Sequence, residues 1–309
     1  MFSFLKKKKL VVTHNGTFHA DDMFACAVVS LWMKKHNIPW RLVRTRDMTI
    51  IEKADVVFDV GLVHDPAHMR FDHHQKGGAG FHKNSIPFAA FGLVWNSLGK
   101  ELCDGNEFVW EGIERLLVCE IDAADNGVDT STPKFEGVFP YTVGAYFKMN
   151  LPTWKEQEID KDALFKKNVA IAIKILEREI TRLRHMSEAF SVLEKDYTES
   201  PDKRLVVTST PFSRGEIQKY IQPSRFPELV YVVFPDQDYG RWRILCGYTE
   251  KGVFDMKKPL PESWRTLRGE AFQKASGVAT ADFCHQSGFF ASADSREGAL
   301  ELAQKALTA

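Results

Sequence analysis

Apolar runs alternate with helical spacing over the first third of the chain. The β-branched run 10–13 predicts a buried strand that ends near the turn-forming pair Asn15-Gly16, and apolar residues at intervals of three and four then predict a helix over 21–35. The apolar run 54–58 predicts a second buried strand, and 69–71 a shorter third one. Because strands that alternate with helices form helix-covered parallel sheets, the expected fold class is α/β.

The pattern changes twice further along the chain. Segment 156–196 contains neither proline nor glycine and keeps near-helical apolar spacing among many charges, which predicts long helices joining two domains. After Ser200-Pro201 short strands dominate. The other predicted elements are helices over 86–98 and 107–124, strands over 205–208, 229–234 and 242–248, and a closing helix that begins at Asp294 or Ser295 and is capped by the Asp294/Glu297 pair.

These changes predict a boundary on each side of the helical segment. The expected layout is an N-terminal parallel-sheet domain over 1–155, a helical linker over 156–200 and a smaller C-terminal α+β domain over 201–309. A chain of 309 residues is long enough for two domains.

Charge and cysteine content narrow the class of protein. Basic and acidic residues number 41 each, which argues against a protein that holds long duplexes by charge alone. The five cysteines form no CxxC pair, so reduced thiols are expected rather than a disulfide framework or a structural zinc module. No long apolar segment is evident, and we expect a cytoplasmic protein that does not associate with membranes.

Histidine is concentrated near the start, since eight of the ten histidines lie in the first 82 residues. Several of them, with aspartates, follow predicted strands, and the carboxyl ends of parallel strands line one ligand crevice. We expect the following to converge there: His14, His19 and Asp21 after the first strand, Asp59 after the second, Asp72, His73 and His74 after the third, and Asp122 and Asp125 at a helix end. His36, His64, His68 and His82 have no evident role.

Each of these residues has a structural explanation when it is taken alone, such as a helix start for Asp21 and Asp22. Asp59 is harder to explain in that way, because a carboxylate that follows an apolar strand is partly buried and needs a partner or a metal. Together the residues form an imidazole and carboxylate set without cysteine, which suits Mn²⁺, Mg²⁺ or Fe²⁺. Several carboxylates can hold two such ions, an arrangement that hydrolyses phosphoesters.

The motifs resemble the DHH phosphoesterase superfamily, and more closely the melanocyte proliferating gene family of metal-dependent hydrolases and 3′–5′ exonucleases. The strings that carry the resemblance are THNGTFHADDMFAC (13–26), FDVG (58–61), FDHHQ (71–75), EIDAADNG (120–127), LPESWRTLRGE (260–270), SGVA (276–279), and CHQSGFF followed by SREGAL (284–300). They extend over nearly the whole chain, which makes chance agreement improbable.

The resemblance implies a role for each residue of the N-terminal set. His14, His19 and Asp21 would be metal ligands, Asp59 would bridge two ions, and His73 would bind the second. Asp125 would be the last carboxylate ligand, with Asp122 as the alternative. Of the remaining pair, His74 would contact the scissile phosphate and Asp72 would orient the histidines. His19 departs from the superfamily pattern, which has aspartate there, so metal preference stays open between Mn²⁺, which we expect, and Mg²⁺ or Fe²⁺.

The resemblance also implies an accessory substrate-binding domain in the C-terminal part. Arg268, and His285 with Ser287 and Gly288, would lie near the substrate, since arginine grips phosphate bidentately and glycine permits close approach of backbone amides. Trp242 and Trp264 are candidates for base stacking, although a core position is the more usual one for tryptophan.

The resulting hypothesis is a two-metal phosphodiesterase, in which an ion-activated water attacks phosphorus. Its expected partner is single-stranded RNA or a short oligonucleotide, degraded from the 3′ end, and a homodimer is one expected assembly. The alternatives are a hydrolase of pyrophosphate, polyphosphate or a dinucleotide, and a metal-binding scaffold without turnover. The chain has no GxSxG and no GxxxxGK[ST] motif, which argues against a serine hydrolase and a Walker-type ATPase.

Overall fold

The computed structural model describes residues 7–156, 158–237 and 240–309. They form two compact units, Met1–Arg184 and His185–Ala309. A single helix of 39 residues, Lys161–Glu199, runs through the division. The segment that the sequence predicts as a linker is therefore mostly one continuous helix, and the division falls inside it.

The first unit is built on a five-stranded sheet with the order β2-β1-β3-β5-β4. Its pairs are parallel except for the edge pair of β4 and β5. Val11, Val12 and all of β3 are buried, as expected for central strands covered on both faces. The strands are β1 (Lys9–Thr13), β2 (Trp40–Arg44), β3 (Val56–Phe58), β4 (His64–Asp65) and β5 (Arg70–Phe71).

Helices of the first unit pack mainly through α1 and α3, whose Phe24 and Phe91 rings lie 5.2 Å apart. A π-helical turn, Glu114–Val118, interrupts the helix predicted over 107–124. The helices are α1 (Ala20–Lys35), α2 (Met48–Ile51), α3 (Ala90–Leu102), α4 (Glu107–Ile113), α5 (Cys119–Asp125), α6 (Val143–Met149) and α7 (Lys161–Glu199).

The second unit contains another five-stranded sheet, with the order β11-β12-β8-β7-β6. Only the β6–β7 pair of this sheet is parallel. Its core surrounds fully buried Tyr231, Phe272 and Leu302. The elements are β6 (Leu205–Val207), α8 (Arg214–Tyr220), β7 (Tyr231–Pro235), β8 (Trp242–Cys246), β9 (Tyr248–Thr249), β10 (Gly252–Met256), α9 (Gly269–Ser276), β11 (Ala281–Cys284), β12 (Phe290–Ala293) and α10 (Arg296–Thr308).

The predicted α/β fold class is confirmed, with differences in individual elements. The cap of α10 is Ser295, whose side chain accepts a hydrogen bond from the Gly298 amide, so the predicted Asp294/Glu297 capping pair is wrong. The sequence patterns also did not predict β2 or the β11–β12 pair. Within the described ranges, no helix combines the length and apolar character that a membrane crossing requires.

Candidate metal centre

Three parallel strands bring polar side chains to one edge of the first sheet. His14 follows β1, Asp59 follows β3, and His73 comes two residues after β5. Because these strands are parallel neighbours, the residues after their carboxyl ends meet at the same edge. The convergence predicted from the strand-end positions is present for these three side chains.

Asp59 lies at the middle of the cluster. Its Oδ2 is 3.2 Å from His14 Nε2, and its Oδ1 is 3.5 Å from both His73 Nε2 and His74 Nδ1. The backbone of Asp59 has a φ of 54°, a left-handed conformation that aspartate and asparagine tolerate better than most residues. Such a backbone at a strand end turns the carboxylate toward its neighbours and is a kind of strain often found at functional sites.

Asp125 and His73 extend the cluster toward α1. His73 Nε2 lies 3.3 Å from Asp125 Oδ2, and His19 Nδ1 lies 3.8 Å from Asp125 Oδ1. Three sets of donors have ligand atoms within 4.8 Å of one another at this sheet edge. They are His14/His19/Asp59, Asp59/His73/His74 and Asp21/His73/Asp125.

The buried carboxylate of Asp72 holds the partly exposed side chain of His74. Asp72 Oδ1 lies 2.7 Å from His74 Nδ1 and also accepts a hydrogen bond from the His74 amide. Its other oxygen accepts from the Leu62 amide. The His74 ring is 55% exposed, whereas Asp72 is buried. The geometry therefore suits an orienting role for Asp72 and leaves the His74 ring accessible to a ligand.

The start of α3 binds two carboxylates through four successive backbone amides. Helix N-termini present unpaired N–H groups, so they suit carboxylates. Asp122 accepts from the outer two amides of residues 89–92, and Asp21 accepts from the inner two. The hydrogen bonds run from Ala89 to Asp122 Oδ2 (2.9 Å), from Ala90 to Asp21 Oδ2 (3.2 Å), from Phe91 to Asp21 Oδ1 (2.6 Å) and from Gly92 to Asp122 Oδ1 (3.1 Å).

This arrangement distinguishes Asp122 from Asp125, the two alternatives for the last carboxylate ligand. Asp125 lies among the clustered donors. Asp122 is turned away, since its oxygens are occupied by the two amides and by His82 Nε2 at 2.8 Å. The structure therefore does not bring Asp122 into the cluster with the other predicted ligands.

Asp22 also belongs to the cluster, although its position in the sequence indicated only a role at the start of α1. Its Oδ2 lies 3.0 Å from His14 Nε2, and its Oδ1 accepts a hydrogen bond from the His19 amide. The side chain is fully buried. The signal in the sequence was its position three residues after His19, which suits a side chain that folds back onto the first turn of α1.

Burial and mutual repulsion shift the ionisation of the cluster. Burial opposes protonation of His14, yet hydrogen bonds and charges from Asp22 and Asp59 raise its pKa to about 10. Burial also opposes ionisation of Asp59, but hydrogen bonds from His14 and His73 lower its pKa to about 2. Burial is the main cause that raises the pKa of both Asp21 and Asp125, and the negative charge of Asp59 is the second. The carboxylates thus repel one another and would be stabilised by added positive charge.

The donor set fits a divalent cation in both its atoms and its chemistry. Asp22 Oδ2, Asp59 Oδ1 and His73 Nε2 are buried and face other donor atoms of the cluster at 3.0–3.5 Å. Carboxylate and imidazole donors without thiolate suit Mn²⁺, Mg²⁺ or Fe²⁺. The cluster therefore has buried donor atoms that face one another where such an ion would bind.

The predicted C-terminal residues all lie in the second unit. His285 Nδ1 is 2.9 Å from Ser287 Oγ and accepts from the Ser287 amide, which forms a tight turn. Gly288 has a φ of +70°, and a Cβ there would lie 2.8 Å from Arg265 Nε. Arg268 is exposed, with its guanidinium 4.3 Å from the centre of the Phe283 ring. Trp264 is buried in the core of the unit, which is the alternative to base stacking given for it above.

The imidazole–carboxylate cluster at the sheet edge suits a metal-dependent hydrolase, the class that the family match and the named relatives support. The family model MYG1_exonuc, described as an uncharacterised protein family (UPF0160), matches residues 10–307. The chain therefore belongs to that family, and the resemblance noted in the motifs is confirmed.

Two named relatives illustrate the extent of the match. The chain is 28% identical to "MYG1 exonuclease" of Rattus norvegicus, over 96% of this chain and 84% of the rat protein. It is 29% identical to "MYG1 exonuclease" of Homo sapiens, over 96% of this chain and 85% of the human protein.

A solved structure with a weaker likeness is RecJ in complex with Mn²⁺ from Thermus thermophilus. The identity is 14% and the TM-score 0.26, and 97% of this chain is covered. This chain spans about half of that protein, 52% of its length. At this TM-score the likeness adds nothing to the family assignment.

Proposed function

We propose that the chain is a two-metal-dependent phosphodiesterase that removes nucleotides from the 3′ end of single-stranded RNA or short oligonucleotides. One observation carries the proposal. Asp59 is shared by two donor sets, one with His14 and His19 and the other with His73 and His74. A carboxylate between two such sets is suited to bridge two ions, and the names of the relatives agree with exonuclease activity.

Each side chain of the cluster has a distinct task in this proposal. His14 and His19 would hold one ion, and Asp59 would hold both. Asp21, which the resemblance grouped with His14 and His19, lies instead with His73 and Asp125 and would hold the second ion with them. Two ions, with Mn²⁺ preferred, would activate water as the nucleophile and stabilise the departing oxygen. Because His74 is oriented by Asp72 and is accessible, its ring would bind a non-bridging phosphate oxygen.

Residues of the second unit support a substrate with phosphates and bases. A cavity of ≈250 Å³ there is lined by Arg268 beside the Phe283 ring, by Phe290, and by Arg241 and Arg243, which pair with Asp282 and Asp236 of the same lining. Arginine beside an aromatic ring suits a phosphate next to a stacked base. In this proposal Arg268 and the His285 turn contact the substrate.

The test uses purified full-length protein, Mn²⁺ and an oligoribonucleotide labelled at either end. Degradation from the 3′ end releases the 3′ label at once as a mononucleotide and gives a ladder of shortening fragments from the 5′ label. Asp59→Asn keeps a residue that tolerates the backbone conformation and removes the charge, so activity should fall by more than the roughly 10–100-fold typical of losing an outer partner. The matched control is Asp65→Asn, which makes the same change at a half-exposed aspartate of β4.

Several results would contradict the proposal. A wild-type protein that releases no mononucleotide, or full activity in Asp59→Asn, would overturn it. The alternative of a small phosphate substrate is tested in the same assay by adding pyrophosphate or a dinucleotide as competitor. Turnover of pyrophosphate with no turnover of RNA would favour that alternative, and no turnover of any phosphoester would favour a scaffold.

A further inference from the structure

A second cluster of metal-binding side chains lies apart from the Asp59 cluster. His82 is buried, and its Nδ1 lies 2.6 Å from Glu114 Oε1. His82, Glu114 and Cys119 each offer a ligand atom, and these atoms all lie within 4.8 Å of one another. None of the three belongs to the donor sets around Asp59. The sequence assigned no role to His82, and Cys119 belongs to no cysteine motif.

The π-helical turn is what brings Glu114 and Cys119 together. In a regular α-helix, residues five apart are separated by about 1.4 turns and point to different faces. Here the Cys119 amide donates to the Glu114 carbonyl, the five-residue bond of a π-helix, which aligns the two residues. A π-turn is rare, departs from the regular α-helical hydrogen-bond pattern and frequently occurs at functional sites. Its effect in this chain is to bring a carboxylate and a thiol within 4.8 Å of each other and of an imidazole nitrogen of His82.

We propose that His82 Nδ1, Glu114 and Cys119 Sγ bind one zinc ion. A thiolate with an imidazole and a carboxylate is a zinc donor set, whereas Mn²⁺ and Mg²⁺ favour oxygen. Three protein donors leave one position of a tetrahedral ion for water. The side chain of Glu114 is 21% exposed, so the site lies close to the protein surface.

The surroundings of the three donors supply the outer hydrogen bonds that zinc sites use. His82 Nε2 lies 2.8 Å from Asp122 Oδ2, and a carboxylate at the second nitrogen of a ligating histidine fixes its tautomer and ring orientation. Asn84 Nδ2 donates to Cys119 Sγ at 3.4 Å. Glu114 Oε2 is buried without a hydrogen-bond partner, which leaves an acceptor for the ion.

The same contacts give the ion a structural task. Asp122 is bound to the amides of Ala89 and Gly92 at the start of α3, and the two amides between them hold Asp21. Zinc at His82 would fix the imidazole that supports Asp122 and so would anchor the start of α3. The site is therefore a separate one that stabilises the helix next to the Asp59 cluster.

Cobalt provides a direct test, because a Co²⁺–thiolate bond gives a charge-transfer absorption in the near ultraviolet. None of the donor sets around Asp59 contains a cysteine, so this absorption reports on the second site alone. We expect wild-type protein to develop the band on titration with Co²⁺ and to lose it when one equivalent of Zn²⁺ is added. Cys119→Ser should abolish the band, and Glu114→Gln should weaken Co²⁺ affinity about tenfold or more.

Two control variants distinguish this site from the remaining thiols and from the Asp59 cluster. Cys103→Ala removes a different buried thiol of the same unit and should retain the band. Asp59→Asn should also retain it, even though the proposed exonuclease activity is lost, so the two proposals can fail independently. Absence of the band in wild-type protein, or its persistence in Cys119→Ser, would overturn the zinc site. The wild-type measurement decides the matter even if a variant does not fold.

Discussion

The Gly92 amide donates to Asp122 Oδ1 at 3.1 Å, and a Cβ on Gly92 would lie only 2.0 Å from Asp122 Oδ2. The carboxylate thus occupies the space that any side chain at position 92 needs. Gly92→Ala must push Asp122 off the helix start, and overpacking of this kind costs about 1–3 kcal/mol of unfolding free energy. Urea denaturation of the purified variant measures the loss.

A glycine elsewhere in the first unit provides the control for this substitution. Gly144 in α6 has ordinary backbone geometry, and an added Cβ would meet only Thr142 Oγ1, at 3.6 Å. Gly144→Ala should be neutral or slightly stabilising, because alanine favours a helix more than glycine does. Equal stability of the Gly92→Ala variant and wild type would show that Asp122 can move without cost.

Substitution of Asp72 should affect turnover more than folding. Asp72→Asn removes the charge that holds His74 Nδ1 at 2.7 Å, so the ring loses its fixed orientation. We expect kcat on an oligoribonucleotide to fall roughly 10–100-fold, as for other outer partners of metal sites, with a smaller change in KM. Asp65→Asn breaks a comparable contact, 2.7 Å to His68, on the surface and should leave kcat unchanged. Equal effects of the two variants would contradict an orienting role.

Removal and return of metal should change thermal stability through the Asp59 cluster. An ion that binds only the folded chain adds about 2.7 kcal/mol at a free concentration one hundred times its Kd. Chelated protein should therefore gain several degrees in Tm when Mn²⁺ is restored, as measured by differential scanning fluorimetry. Asp59→Asn should show little of this gain, and an undiminished gain would place Mn²⁺ elsewhere.

Alkaline pH should destabilise the second unit through Cys246. Burial raises the pKa of this thiol to about 12, whereas an unfolded thiol ionises near about 8.5. The folded state retains the proton, so the stabilising contribution is fully present below the unfolded pKa and is lost as pH rises toward the folded one. The unfolding free energy should fall by about 1.4 kcal/mol per pH unit from this one group between those values.

The slope with pH provides the measurement for Cys246. In Cys246→Ala the unfolding free energy should fall less steeply between pH 9 and 11, by about 1.4 kcal/mol per pH unit, because one proton fewer is released on unfolding. A constant change in stability caused by the smaller side chain does not affect this slope. The Sγ of Cys246 donates to the Gly288 carbonyl, so the variant also reports on the turn that holds His285. Identical slopes in variant and wild type would mean that the thiol ionises equally in both states.

Sequence patterns predicted the strand ends well because burial leaves a clear signature there. The apolar run before Asp59 indicated a central strand and hence a carboxylate at the ligand edge. Strand β2 was not predicted, since Trp40–Arg44 carries two arginines in five residues and resembles a surface segment. The cap of α10 was placed one residue early, because Asp294 and Ser295 are both common caps.

Contacts between distant segments were beyond such patterns. His82 and Asp122 are 40 positions apart in the chain, and no local periodicity connects them. The π-turn that aligns Glu114 with Cys119 is equally invisible, because its residues continue the apolar spacing of the flanking helices. The choice between Asp122 and Asp125 also depended on which of them the α3 amides bind.

The four amides at the start of α3 bind two carboxylates without using any side chain of residues 89–92. Homologous chains could therefore differ at 89, 90 and 91 and still hold Asp21 and Asp122 in the same way. Proline is the exception, because it has no N–H to donate. For the hydrogen bonds at 89, 90 and 91 the constraint is thus a forbidden residue rather than a required one, whereas position 92 must be glycine to leave room for Asp122.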